Sequence, residues 1–317
     1  MRTMYLAVGY NCNHNCFFCP CGKKERRVKK ASLDELEEAV DLAVREQHVE
    51  SITISGGEPT LHPGFPELIS FCLDKGLEIC ILSNGENFFH RERIRDFFGE
   101  PGRGRIEVVT ALHSYIPAVH EELNGTKGSF ERTIQGLKNL VEENIPVTVK
   151  HILCSRNHKD LPDFVDFIFE TFGGKTAMEF TGMDYCGLKK EQADQIHAGF
   201  REMGIMLEKA LDRIDFYRKE YGVFRHVAVS DFPLCSTDPL YWRFFASSSR
   251  NGTASYAAPD ENAGKVWQIS DMDGDCGLFY EECRDCLMKR DCPGVWRYAS
   301  IYYPDGKKEG IRTIHAV

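Results

Sequence analysis

Thirteen cysteines stand in 317 residues, and eight of them fall into two groups. Cys12, Cys16, Cys19 and Cys21 lie within "GYNCNHNCFFCPCG" (9–22), and Cys276, Cys283, Cys286 and Cys292 lie near the end of the chain. A disulfide framework, a zinc site and an iron–sulfur cluster are the chemistries such groups can serve. In a reducing compartment clustered thiols argue for metal. Zinc sites usually offer paired C-x2-C hooks or a Cys–His mixture. The first group offers C-x3-C-x2-C with a polar Asn13-His14-Asn15 filler. Three thiolates on a four-iron cluster leave one iron open to a further ligand, whereas an electron-transfer cluster takes four. Cys21, behind Pro20, is an awkward fourth ligand and reads as a spare. In the second group Cys283, Cys286 and Cys292 form C-x2-C-x5-C, and a distant cysteine, Cys235 of "FPLC" or Cys276 of "GDCG", would complete a set of four.

The elements that must carry these thiols follow from periodicity. An apolar run, "MYLAVGY", precedes Cys12, which places the first group on a loop leaving a strand. "SLDELEEAVDLAVREQ" (32–47) opens with a Ser cap and a Glu three residues on, then repeats apolar residues at helical spacing. "SITISGG" reads as a strand ending in glycines, "FPELISFCLDKG" as a helix closed by Gly76, and "LEICILSNG" as the next strand. "IEVVTALH", "PVTVKHILC" and "AMEFTG" are further strands, separated by the helices "SFERTIQGLKNLVEEN" and "DLPDFVDFIFETFG". This alternation over residues 4–182 implies a mostly parallel sheet with helices outside and the C-terminal strand ends as the working face. After Gly182, "KEQADQIHAGFREMGIMLEKALDRIDFYRKEYG" reads as one long helix or a pair, and "GVFRHVAVSDFPLC" returns to strand. Residues 246–264, rich in Ser, Gly, Asn and Ala, read as a mobile loop or lid.

Bulk properties narrow the partners. Hydrophobic residues make up 42% and charged residues 27%, an ordinary soluble composition. The formal charge is −9, and the longest basic run is "KKERRVKK" (23–30), read as a solvated loop, so no nucleic-acid partner is expected. "MRTMYLAVGY" lacks the apolar core of a signal peptide, and no apolar stretch approaches membrane-spanning length, so a cytoplasmic protein with no membrane contact is expected.

Three stretches at successive strand ends resemble those of the radical S-adenosylmethionine (SAM) superfamily. C-x3-C-x-aromatic-C stands here as Cys12, Cys16, Phe18 and Cys19, GGEP as Gly56, Gly57, Glu58 and Pro59, and the next strand end as Ser83 and Asn84. The resemblance covers residues 4–182. It implies an α/β fold, a partial (β/α)6 TIM-like barrel over residues 1–182 followed by a helical and small-β extension over 183–317. It further implies a 4Fe-4S cluster on Cys12, Cys16 and Cys19, whose open iron is chelated by SAM. The GGE backbone and Glu58 would hold the SAM ammonium, and Ser83 with Asn84 would face the ribose. Residue chemistry agrees, since glycines admit a close ligand and a carboxylate suits an ammonium. Reductive cleavage of SAM would give methionine and a 5′-deoxyadenosyl radical that abstracts hydrogen from a substrate, the cofactor performing the hard step. One departure is Ala111, where relatives often carry a Ser that touches the SAM carboxylate; His113 and Ser114 are the substitutes at hand.

The C-terminal part resembles the shortened SPASM ("twitch") extensions of radical SAM enzymes, and among them the maturases of His-Xaa-Ser-repeat peptides, which also pair a PLC cysteine with a closing C-x2-C-x5-C-x-G. A full SPASM domain carries a further cysteine where Trp296 stands here. The resemblance therefore implies one auxiliary cluster, of the 4Fe-4S type, on Cys235, Cys283, Cys286 and Cys292, with Cys276 left over. It implies a peptide substrate that is crosslinked, oxidised or epimerised after hydrogen abstraction, with a small-molecule (sugar or cyclitol) dehydrogenase as the alternative and a non-catalytic iron–sulfur scaffold or electron carrier as a third reading. It also implies an external reductant such as flavodoxin or ferredoxin. No leader-binding module of about 80 residues is expected ahead of Cys12, so a peptide would need a separate carrier or direct recognition.

The other candidates read as packing. Cys72 and Cys80 are expected in the core, and Cys154 and Cys186 in core or loop packing. Glu179 can meet a substrate or a salt-bridge partner. Lys150 and His151 are adjacent on one strand and must face opposite ways, so one of them faces the cavity. No catalytic acid or base is assigned.

Overall fold

The computed structural model describes residues 2–21, 31–99, 103–223, 226–246, 253–257 and 279–315; the basic run 23–30 and Cys276 lie outside them. The chain divides into two compact units. The first comprises the described parts of Met1–Ala111, Asn124–Thr148 and Arg250–Asp273, and the second those of Leu112–Leu123, Val149–Ser249 and Gly274–Val317.

In the first unit β1 (Thr3–Ala7), α1 (Leu33–Gln47), β2 (Ser51–Ser55), α2 (Phe65–Asp74), β3 (Glu78–Ser83), α3 (Arg91–Phe98) and β4 (Ile106–Ala111) alternate, α3 being a helix not expected from the sequence. α1 begins at the expected capping box, with Ser32 and Glu35 satisfying each other's backbone N–H groups. The strands run parallel in the order β4-β3-β2-β1, and the register aligns Ala7 with Ser55 and Ser83 with Thr110. The loops bearing Cys12, Gly56 and Asn84 therefore leave one edge side by side. Met4, Leu6, Ile52, Ile54, Phe65, Leu68 and Phe88 form the buried core. The helices that follow the fourth strand are α4 (Pro117–Asn124) and α5 (Ser129–Glu142).

The second unit carries β5 (Val147–Ile152) from Val149 onward, α6 (Leu161–Phe172), β6 (Ala177–Thr181), α7 (Lys190–Ala193), α8 (Phe200–Tyr221) and β7 (Val227–Ser230), with strand order β7-β6-β5. The long amphipathic segment resolves as a pair, a single turn in α7 followed by the 22-residue α8. Val149, Phe164, Ile168, Phe180, Leu207 and Ile214 pack between strands and helices.

The α/β, partial-barrel class expected from the sequence holds, with two corrections. Parallel strands do not end at residue 182, because β7 pairs with β6 from Met178↔Val227 to Thr181↔Ser230. Part of the stretch expected to be a lid is a strand, β8 (Thr253–Ala257), lying parallel to the outer side of β1. Its sequence, TASYA, mixes Thr and Tyr, which favour strands, with Ser and Ala, which do not, and the ladder with β1 joins it to the sheet. The closing helix is α9 (Arg297–Tyr302). No helix among the described residues is long and apolar enough to cross a membrane.

Candidate functional site

The thiol loop is held by backbone on both sides. After β1, Val8 N–H bonds Ser55 O at 3.0 Å, Gly57 N–H bonds Gly9 O at 2.8 Å and Glu58 N–H bonds Asn11 O at 2.7 Å. Gly56 has φ +125°, and a Cβ there would stand 2.1 Å from Gly9 O, so a side chain would force the two loops apart. On the other side Asn15 N–H bonds Asn124 O at 2.9 Å. Gly125, at φ +67°, leaves room for Asn15 O, which a Cβ would meet at 2.5 Å. The close approach that Gly56 was expected to give a ligand is thus used, in part, by the thiol loop itself.

Cys12, Cys16 and Cys19 are half-buried on this loop. Cys19 N–H bonds Cys16 O at 3.3 Å, and His14 N–H reaches Cys12 Sγ at 3.3 Å. Phe18 is buried beside Cys19. The filler residues turn to the end of β3: Asn13 Nδ2 donates to Glu86 Oε2 at 2.6 Å and its Oδ1 accepts from Asn84 Nδ2 at 2.7 Å, while His14 Nε2 lies 3.0 Å from Glu86 Oε1. Arg132 of α5 reaches the same Oε1 at 2.8 Å. Burial lowers the pKa of His14, against the pull of Glu86. Cys21 points its thiol at Gly56 O, 3.5 Å away.

Glu58 is buried and acts first as a strut between motifs. Its Oε1 accepts from Thr60 N–H at 3.2 Å, Thr60 Oγ at 2.5 Å and Ser83 Oγ at 2.9 Å, and its Oε2 accepts from Asn84 N–H at 2.7 Å. Burial raises its pKa, with the Thr60, Asn84 and Ser83 bonds opposing. Pro59 opens a 3-10 turn that Glu58 caps. Ser83 Oγ also accepts from Gly85 N–H at 3.1 Å, and Asn84 Oδ1 from Glu86 N–H at 3.0 Å. Oε2 retains acceptor capacity beside a small cavity lined by Val8, Gly9, Asn11, Leu61 and His62. Cysteine, GGEP and Ser-Asn motifs are therefore one hydrogen-bonded assembly. Glu86, Thr60, Arg132 and Gly125 complete it, and no motif pointed to them. Ala111 ends β4, and the two substitutes beyond it are buried in the second unit. There His113 N–H bonds His120 Nδ1 at 3.2 Å, and Ser114 Oγ accepts from Ile116 N–H at 3.0 Å.

The second unit gathers the other thiols. Cys235, Cys283, Cys286 and Cys292 line one space of about 370 Å³ with Tyr280, Val295, Ile311 and Met288. Cys235 is buried, which pushes its pKa up to about 11, and the other three thiols add to that shift. Leu234 and Gly294 point their N–H groups at Cys292 Sγ, at 3.5 and 3.4 Å. Arg312 fixes the Cys235 carbonyl at 2.9 Å. Among the described residues no three His, Cys, Asp or Glu side chains converge closely enough for a single metal ion. Four soft thiols spread around a shared space, with a buried hydroxyl of Tyr280 that has no hydrogen-bond partner among the described residues, match the donor set and polarity of a cluster.

The adjacent pair on β5 divides as alternation requires. His151 is buried against Phe164 (4.3 Å between ring centroids) with Nδ1 3.0 Å from Leu112 O, and burial lowers its pKa to about 4. Lys150 lies on the other face, with Nζ 3.2 Å from Glu179 Oε1, which also accepts from Ser230 Oγ at 2.6 Å. Cys72 and Cys154 are buried; Cys80 and Cys186 are half-buried, so Cys80 is not the core residue expected.

This arrangement is that of a radical SAM enzyme, and the Radical SAM superfamily model matches residues 6–168, just over half of the chain. The chain belongs to that superfamily and works with SAM and a 4Fe-4S cluster. It is 24% identical over 223 residues to a probable GTP 3',8-cyclase of Sulfurisphaera tokodaii, covering 70% of this chain and 68% of that one. It is 30% identical over 161 residues to an Fe-coproporphyrin III synthase of Methanosarcina barkeri, covering 50% and 39%, and 27% identical over 172 residues to the sporulation killing factor maturation protein SkfB of Bacillus subtilis, covering 52% and 40%. The chain thus spans well under half the length of the latter two. Among solved structures, Streptococcus suis SuiB bound to S-adenosylmethionine shares the fold with a TM-score of 0.64 at 15% identity, over 98% of this chain and 76% of SuiB. The anSMEcpe structure with AdoMet and the Cp18Cys peptide gives 0.58 at 13%, over 98% and 96%.

Proposed function

We propose that this radical SAM enzyme is a peptide maturase with one auxiliary iron–sulfur cluster. The four-thiol space of the second unit carries the reading, since SAM cleavage alone does not call for it. Its support from relatives is that SkfB is named for maturation of a sporulation killing factor, and that SuiB has been solved bound to precursor peptide SuiA (TM-score 0.59). SAM bound at the open iron supplies, on reduction, a 5′-deoxyadenosyl radical able to abstract hydrogen.

The chain's own residues do the rest. Cys12, Cys16 and Cys19 hold the SAM cluster on a loop immobilised by Gly56, Gly125 and Glu86. Phe18 packs under it. Carbonyls of the Gly56-Gly57 turn and Glu58 Oε2 receive the SAM ammonium, a charge-assisted contact in a buried setting. Pro59 and Thr60 hold the Glu58 carboxylate in place, and Ser83 and Asn84 fix the floor on which the ribose rests. Cys235, Cys283, Cys286 and Cys292 would hold the auxiliary cluster, whose chemistry would be to take up an electron or to ligate the substrate. An external reductant such as flavodoxin or ferredoxin would supply the first electron.

A second reading, a small-molecule substrate, is favoured by the GTP 3',8-cyclase relative, whose name records a nucleotide substrate. The deciding experiment incubates anaerobically reconstituted, dithionite-reduced enzyme with SAM and either peptides encoded beside its gene or a panel of GTP, sugars and cyclitols. Peptide-stimulated 5′-deoxyadenosine together with a peptide lighter by two hydrogens supports maturation. Stimulation by a panel member alone overturns it.

A further inference from the structure

Three polar side chains besides the four thiols line the space that those thiols share, Tyr280, Lys289 and Arg312; Arg312 bonds the Cys235 and Thr237 carbonyls, and Lys289 Nζ lies 5.4 Å from the Phe279 ring centroid. Tyr280 is 6% exposed, and its hydroxyl is buried with no hydrogen-bond partner among the described residues. A buried hydroxyl without a partner is costly, so its setting asks for an acceptor. The ring is fixed from two sides. Tyr280 O accepts from Cys283 N–H at 3.0 Å at the start of the turn that carries this thiol, which ties the ring's own backbone to a ligand. Its edge faces Gly306, where a Cβ would stand 3.0 Å from Tyr280 Cδ1. The apolar neighbours Val295, Ile311 and Ile314 offer no acceptor.

We infer that Tyr280 donates its hydroxyl hydrogen bond to a sulfur of the auxiliary cluster and thereby sets that cluster's reduction potential. The inference rests on the auxiliary-cluster reading above. A hydrogen bond to cluster sulfur stabilises the reduced, more negative state and raises the potential. Leu234 N–H and Gly294 N–H reach Cys292 Sγ, so they supply the same kind of donor to one ligand. The phenol is a donor that a single oxygen deletion removes without changing the ring.

The test uses full-length protein carrying Cys12→Ala, Cys16→Ala and Cys19→Ala, so that only the auxiliary cluster contributes, with and without Tyr280→Phe. Iron content, a dye-mediated potentiometric titration followed by EPR, and pulsed EPR after exchange into D2O are measured. The expected result is equal iron in both proteins, a three- to tenfold shift of the one-electron equilibrium toward the oxidised form in the Tyr280→Phe protein (tenfold being about 59 mV), and loss of one exchangeable deuteron coupling. Equal iron with an unchanged potential and unchanged deuteron couplings overturns the role of Tyr280. Absence of iron from both proteins overturns the auxiliary cluster, and the inference with it. If Tyr280→Phe alone fails to retain iron, the deuteron spectrum of the protein with Tyr280 intact decides, and a spectrum without a coupling beyond those of backbone amides overturns the inference.

Discussion

Glu86 Oε1 lies 3.0 Å from His14 Nε2, so the end of the third strand grips the residue between the first two cysteines. Arg132 of α5 meets the same oxygen at 2.8 Å, and Asn13 meets the other at 2.6 Å. One carboxylate therefore joins three segments far apart in sequence, and sets the spacing of Cys12 and Cys16 through protein contacts alone.

Replacing Glu86 by Ala leaves His14 buried with the Arg132 guanidinium as its charged neighbour and Asn13 without its acceptor. The expected cost is about 1–3 kcal/mol. Urea unfolding of the apoprotein measures that cost, and iron release to a chelator from the reconstituted protein should quicken several-fold. Unchanged release would mean that the loop is held without Glu86.

Gly125→Ala places a Cβ 2.5 Å from Asn15 O at a backbone φ of +67°. The left-handed conformation alone costs about 1–2 kcal/mol. Relief by moving Asn15 shifts the loop between Cys12 and Cys16, so iron incorporation at the SAM cluster should fall. Iron held by Cys235, Cys283, Cys286 and Cys292 should not change, and separate iron counts in backgrounds lacking one thiol set check this.

The two thiol sets predict additive iron content. The Cys12→Ala, Cys16→Ala, Cys19→Ala protein should lose about four irons and all SAM cleavage. The Cys235→Ala, Cys283→Ala, Cys286→Ala, Cys292→Ala protein should lose about four as well, yet keep a SAM-perturbed EPR signal. Zinc in either set, by elemental analysis, would contradict the assignment.

His151 is buried neutral, with burial holding its pKa at about 4 against an ordinary 6.5. The unfolded chain binds the proton more readily between those values, so this contribution is complete above about pH 6.5 and is lost as pH falls toward 4. Its full span is about 3 kcal/mol. Urea midpoints of wild type and His151→Gln, compared across that range, should converge as pH falls, and parallel curves would refute the assignment.

Much of this was legible in the chain because the signals are local. The Ser32–Glu35 capping box lies within one helical turn, and the cysteine spacings within one loop. The GGEP and Ser-Asn stretches could be assigned to strand ends because each follows an apolar strand pattern. What stayed hidden depends on long-range approach. Glu86, Arg132 and Gly125 are ordinary surface types by sequence, and only the register of β1 with β2 and the placement of α5 bring them to the thiol loop. The contacts of the Ser83 and Asn84 side chains with Glu58 and Asn13 were likewise not legible, since each partner lies far away in sequence. β8 was invisible for a related reason, since its order comes from the neighbour it pairs with.

That pairing has a consequence for biosynthesis. β1 is flanked on one side by β2 and on the other by β8, whose residues 253–257 emerge from the ribosome some 250 positions later. Until then the strand that launches the thiol loop has an open edge, a template for wrong pairing in a partly made chain. Contacts of such long separation form slowly. A thiol loop made before then hangs from a strand paired on one side at most.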